Sequence, residues 1–174
     1  MTAFRLDSSF FVRDVLEVAP ALIGKLLVRR YDDGSIRKFT IAETEAYRGV
    51  EDLACHASKG RTPRTKVMFR EGGLVYVYLV YGMYWMLNFV TGQEGEASAV
   101  LIRGLDRVNG PGRVGRVLKL DSSFYAEDLE TSNRLWVEED DHAVEYTTYP
   151  RVGIHYAGEP WISMPWRYVM KSNP

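Results

Sequence analysis

Leu74-Val75-Tyr76-Val77-Tyr78-Leu79-Val80-Tyr81-Gly82-Met83-Tyr84-Trp85-Met86-Leu87-Asn88 is the stretch whose reading decides the fold. Two runs of β-branched and aromatic residues, 74–81 and 84–91, meet at Gly82-Met83, and this predicts an antiparallel hairpin with Tyr81 near its tip. Upstream, Asp32-Asp33-Gly34-Ser35 separates runs at 25–31 and 36–45, and Asp-Gly turn chemistry there predicts a second hairpin. It carries Glu43-Thr44-Glu45 to a strand end. Another buried strand is expected over 97–105, and short ones over 135–138, 152–155 and 168–170.

Helical signals are fewer. Asp14 followed three residues later by Glu17 is a capping-box pattern, so a helix begins there. Val15, Leu16, Ala19, Leu22 and Ile23 recur at helical spacing, Pro20 shortens or kinks the run, and Gly24 fits its stop. Residues 1–10 read as an irregular lead-in, 51–57 as a short helix, and Asn109-Gly110-Pro111-Gly112 as a turn into a helix over 113–120.

At 174 residues the chain is long enough for one full core and short for two, so a single domain over 1–174 is expected. A net charge of -1 argues against a uniformly basic nucleic-acid binder. The charge is unevenly spread, however. Lys59, Arg61, Arg64, Lys66 and Arg70 cluster in one segment, and eight acidic residues gather between Glu127 and Glu145. A single Cys55 excludes an internal disulfide framework, and the N-terminus lacks a secretory pattern, which together imply a cytoplasmic protein. No apolar run approaches the roughly 20 residues that span a bilayer.

Glu43 and Glu45, two apart on a strand, share a face at a spacing on the order of 7 Å. Paired carboxylates at that distance suit an inverting glycoside hydrolase, and more commonly serve structural pairing with Arg or Lys. Tyr76, Tyr78, Tyr81, Tyr84 and Trp85 can be half-buried sheet residues or a stacking platform. Aromatic faces, a basic loop at 59–66 and carboxylates together form a set that can hold a planar base, grip its backbone and act on it. A damaged-nucleic-acid binder without catalysis uses the same tyrosines. Cys55 beside His56 is poor evidence for a nucleophilic dyad, because neighbouring helical residues do not face each other. With three histidines and one cysteine, no zinc-ligand spacing appears, and no metal or cofactor is expected.

The order and spacing of these motifs resemble the alkyladenine (3-methyladenine) DNA glycosylase family, of the single-domain type. The resemblance is carried by Glu43-Thr44-Glu45-Ala46-Tyr47, Glu51-Asp52, His56, Gly60-Arg61-Thr62-Pro63-Arg64, Met68-Phe69, Tyr76-Val77-Tyr78, Tyr81-Gly82-Met83, Asn88, 94–103, 109–112, Arg151-Val152-Gly153-Ile154 and 157–159. Thr65, where the family pattern has Asn, departs from it. The resemblance implies an α+β domain whose curved antiparallel sheet, like that of a formyltransferase C-terminal domain, carries flanking helices and a protruding hairpin that enters DNA. It further implies a monofunctional glycosylase, acting as a monomer on duplex DNA that contains damaged purines, near the nucleoid if the source is bacterial. Glu45 would be the general base and Arg103 its helper. Tyr47, His56 and Tyr78 would sandwich the flipped base, and Asn88 would floor the pocket. Tyr81, Met83, Arg61, Thr62, Arg64 and Met68 would contact DNA.

Overall fold

A computed structural model describes residues 4–172; of the lead-in, residues 1–3 lie outside the described part. Two short helices, α1 (Ser8–Phe11) and α2 (Val15–Ala21), precede β1 (Leu26–Arg30) and the long β2 (Ile36–Tyr47). The paired runs of the central stretch are β3 (Val75–Val80) and β4 (Tyr84–Thr91), followed by β5 (Ser98–Leu105), β6 (Val108–Asn109) and α3 (Pro111–Val117). β7 (Leu135–Glu138), β8 (Tyr146–Tyr149) and β9 (Arg167–Met170) complete the sheet. The described residues thus form one α+β domain around a mostly antiparallel sheet ordered β3-β4-β5-β2-β1-β7.

β2 is the axis of that sheet. Its first half, Ile36–Thr40, pairs with β1; its second half pairs with β5 on one side, and its Glu43–Glu45 stretch pairs with β9 on the other. Register shifts between Ile41 and Thr44 mark an irregularity where the partners change, as a bulge allows a strand to bend and twist. Glu43 and Glu45 consequently lie within the strand, not at its end.

Side chains alternate between the two faces. Ala46, Val75, Val77, Leu87, Phe89, Val100 and Ile102 point to one face and join the main core. α2 and α3 cover that face, bringing Val15, Val18, Ala19, Val114 and Leu118 into the same cluster. Burial of each of the Val, Leu, Ile and Phe side chains among them contributes about 1.5–3 kcal/mol. Thr44, on the same face, donates its hydroxyl to the Ala19 carbonyl at 2.9 Å and fastens α2 to the sheet. The opposite face carries Glu45, Tyr47, Tyr76, Tyr78, Asn88, Leu101 and Arg103, and there the fold leaves a cavity.

Several local expectations are corrected. The lead-in contains α1, begun by Asp7, whose side chain accepts from the Ser9 amide. Residues 51–57 do not form a helix: the Asp52 carboxylate takes the Arg48 and Ala54 amides, a competing pattern that holds a turn. A 3-10 helix follows at His56–Lys59. The 113–120 helix begins earlier, at Pro111, whose fixed φ suits a first helical position, and ends at Val117. No strand forms over 152–155. Gly153 adopts φ +73° and turns the chain into a 3-10 helix at His155–Ala157, while the unread β8 pairs with β9.

α3 lies so close to β4 that a Cβ at Gly115 would sit 1.9 Å from the Trp85 carbonyl oxygen. Gly115→Ala must push α3 off the sheet, and overpacking of this kind costs about 1–3 kcal/mol. The expected result is a lower urea midpoint with an unchanged slope; a wild-type midpoint would contradict the close packing.

Candidate active site

The cavity on the second face has a volume of about 420 Å³, within the range of sites that hold small ligands. Four adjacent strands supply its wall through residues of one parity: Glu45 and Tyr47, Tyr76 and Tyr78, Met86 and Asn88, Leu101 and Arg103. Loop residues 54–56 and 152–156 form the remaining sides.

Glu45 has no exposed side-chain surface. One of its oxygens accepts the Val152 amide at 2.7 Å; the other faces Arg103 Nη1 and the Tyr47 hydroxyl, each at 3.4 Å. The second oxygen, held only by long contacts, keeps acceptor capacity for another donor. Burial pushes the Glu45 carboxyl above its ordinary value, although Arg103, the Val152 amide and Arg151 pull it down. A carboxyl tuned upward in a cavity is a candidate for proton transfer.

Glu43 takes a different part. It receives Arg103 Nε at 3.1 Å and Arg167 Nη1 at 3.0 Å, and it does not line the cavity. Its role is to hold Arg103 in place, which removes the second acid that a two-carboxylate glycoside hydrolase needs.

The aromatic residues gather as well. His56 and Tyr78 pack edge to face at 4.6 Å, so they make one wall and not two sides of a slot. Tyr47, on β2, lines the cavity as well. His56 Nδ1 contacts the Tyr76 hydroxyl at 2.9 Å, so Tyr76 is a core residue that also orients the histidine. Burial, reinforced by Arg64, lowers the His56 pKa to about 4, leaving a neutral ring at physiological pH. Burial pushes Tyr76 to about 12 and raises Tyr47 and Tyr78 further, so all three remain phenols. Asn88 is 4% exposed and donates Nδ2 to the Tyr76 carbonyl at 3.1 Å. Cys55 is buried, with burial pushing its thiol to about 12, which rules against a nucleophile.

Residues expected to meet DNA divide by exposure. Tyr81 is 88% exposed at the β3–β4 tip with φ +53°, and Met83 is 60% exposed beside it. Holding a bulky residue in the left-handed region costs on the order of 1–3 kcal/mol. Arg61 lies over Phe69 at 5.5 Å and Arg64 over Tyr78 at 4.8 Å. Among the described residues, none of Lys59, Arg61, Arg64, Lys66 and Arg70 pairs with a carboxylate. Thr62 turns inward to Thr65, whose hydroxyl accepts the Thr62 amide at 2.9 Å and donates to the Gly60 carbonyl at 2.8 Å. Met68 is the exception to the surface expectation. It is 2% exposed, because the 3-10 helix Lys66–Phe69 turns Val67 and Met68 into the core beside the cavity.

One determinant of the site was not assigned from sequence. Arg151 and Asp52 form a buried two-pronged ion pair at 2.5 and 2.9 Å, both side chains fully enclosed. Arg151 also donates to the Ala46 carbonyl at 3.0 Å and lies over the Tyr47 ring at 4.8 Å. The pair ties the 52–54 loop to the chain just before Val152, and so fixes the amide that holds Glu45. Both residues stand in quoted motifs, but only their contact reveals the task.

A buried carboxylate thus stands beside aromatic walls, with a basic loop outside whose cations pair with no carboxylate among the described residues. Comparison with known proteins then identifies the family. The profile of the methylpurine-DNA glycosylase family matches residues 9–109 and 105–174, and the chain belongs to that family. A Legionella pneumophila (strain Corby) relative is 45% identical over 180 residues, spanning 98% of this chain and 96% of its own. Relatives in Methanocella arvoryzae (39% identical over 189 residues, 97% and 94%) and Borreliella burgdorferi strain ZS7 (38% over 181, 97% and 97%) follow. All three are assigned by name as 3-methyladenine DNA glycosylases. The protein is accordingly a DNA glycosylase, a hydrolase of N-glycosyl bonds that serves DNA repair. Among the described residues, no helix is long and apolar enough to cross a membrane.

Asp52→Ala leaves the Arg151 charge buried without a partner, a change that costs about 3–5 kcal/mol. Chemical denaturation should register that loss, and Asp52→Ala with Arg151→Met should cost less than the two single changes added together. Strict additivity would mean that the pair is not coupled.

Proposed function

We propose that the protein flips an alkylated or otherwise damaged purine, 3-methyladenine foremost, out of duplex DNA and hydrolyses its N-glycosidic bond to begin base-excision repair. The observation that carries this reading is Glu45: a fully buried carboxylate with one oxygen tied to Val152 and the other free to accept from a water. That water, deprotonated by Glu45 as the bond to the base lengthens, adds to the sugar carbon, and an abasic site remains. Arg103, itself held by Glu43, positions the carboxylate and the water. No lysine is among the cavity-lining residues, which favours water over an amine as the attacking group.

The flipped base stacks between Tyr47 and the His56–Tyr78 wall above Asn88, with stacking that contributes roughly 1–3 kcal/mol per base. The low His56 pKa supports this use, since a neutral ring does not repel a cationic alkylated purine. Extrusion costs a few kcal/mol, and Tyr81, presented at the hairpin tip with Met83, fills the vacated stack. Arg61, Arg64 and their basic neighbours take the phosphates, while Thr62 shapes the loop. Met68 supports the pocket from beneath. One such domain acts on one nucleotide without a partner subunit.

Wild-type protein should release 3-methyladenine from methylated duplex, and Glu45→Gln should lower the rate by about 10²–10⁴-fold, the range of general-base catalysis. Undiminished release by that variant would overturn the assignment. Activity should fall as acidification protonates Glu45, with an acid limb above the ordinary value of 4.5 because burial raises it. The sign for stability is opposite. A raised folded-state pKa stabilises the fold below the unfolded value and loses that contribution as pH rises through the folded one. At neutral pH the Glu45 charge therefore weakens the fold, and Glu45→Gln should melt no lower than wild type.

A further inference from the structure

Tyr156 lines the cavity although no part of the mechanism above uses it. It stands in the 3-10 helix His155–Ala157, and its hydroxyl lies 2.9 Å from the carbonyl oxygen of Ala54 on the neighbouring loop. A carbonyl can only accept, so the phenol hydrogen is committed to Ala54. The Tyr156 oxygen is left with lone pairs and no hydrogen to offer. A free tyrosine rotates to present either; this one is fixed as an acceptor.

Its anchor is also fixed. The Ala54 amide donates to Asp52 at 3.0 Å, and Asp52 is locked by Arg151. Tyr156, Tyr47 and Tyr78 all line the same cavity. Burial raises the Tyr156 pKa as well, so it remains a neutral acceptor at any physiological pH.

We infer that Tyr156 is a specificity-determining residue whose oxygen accepts a hydrogen from the exocyclic amino group of the flipped base, favouring 6-aminopurine lesions over purine adducts that lack an N–H donor there. This rests on the glycosylase reading of the same cavity. An acceptor facing another acceptor leaves neither with a donor, whereas an amino group supplies one.

The test is equilibrium binding to two duplexes, each with a single lesion, in a Glu45→Gln background so that no turnover intervenes. One lesion is 3-methyl-3-deazaadenine, which keeps the amino group and resists hydrolysis; the other is ethenoadenine, whose bridged nitrogen has no hydrogen. Tyr156→Phe keeps the ring at a position 70% exposed, so the fold is retained. The amino-to-etheno affinity ratio should drop about fivefold, the worth of one hydrogen bond. A ratio unchanged while both affinities fall together would mean that Tyr156 only braces the loop, and would overturn the inference. If the parent protein binds both damaged duplexes no better than an undamaged one, the glycosylase reading of the cavity fails with it, a result distinct from an unchanged ratio.

Discussion

Successive residues of a strand must point to opposite faces, and the whole molecule depends on how four adjacent strands use that rule. On β2 through β5, one parity is apolar and packs beneath α2 and α3. The other carries a carboxylate, tyrosines, an amide and a guanidinium. One sheet is thus core on one side and chemistry on the other. A single-residue slip in register would exchange the two sets, burying Glu45 and Arg103 in the hydrophobic layer and emptying the cavity wall. The chemistry is held by the same backbone hydrogen bonds that hold the fold, which gives it a rigid base.

The loop side of the cavity has no such ladder and is held by the buried Arg151–Asp52 pair instead. That pair fixes three things at once: the turn at 52–54, the ring of Tyr47 and the approach of Val152 to Glu45. Arg151 leaves its Nε without a partner, so the enclosed charge is not fully satisfied. Glu45 is also disfavoured in its charged form by burial. Both strains lie at the cavity. Stability is drawn from the opposite face, where apolar packing is dense.

The distribution of charge follows the same division. The chain carries almost no net charge, yet its basic loop at 59–70 holds cations unpaired with carboxylates among the described residues. Acidic residues downstream pair elsewhere, as Glu127 does with Arg134 and Glu138 with Lys38. A neutral total therefore conceals a local surface suited to a polyanion.

Much of this was legible in the chain itself. Turn chemistry at Asp33-Gly34 and Gly82, β-branched runs and the capping residue Asp14 determined the hairpins and α2, because each is a local signal read over a few residues. Parity alone put Glu43 and Glu45 on one face, and the ordered motifs pointed to the family. What the tertiary structure decided was the division of labour. Glu43 and Glu45 have the same chemistry and lie two apart on one strand; only Arg167 on one and Val152 on the other, each more than 100 residues away in the chain, leave the first tied to guanidinium groups and the second enclosed at the cavity. Met68 turned inward, the segment after Arg151 left the extended path, and Tyr156 reached Ala54 for the same reason. Burial and hydrogen-bond partners are properties of contacts between distant segments, and no local pattern of residues encodes them.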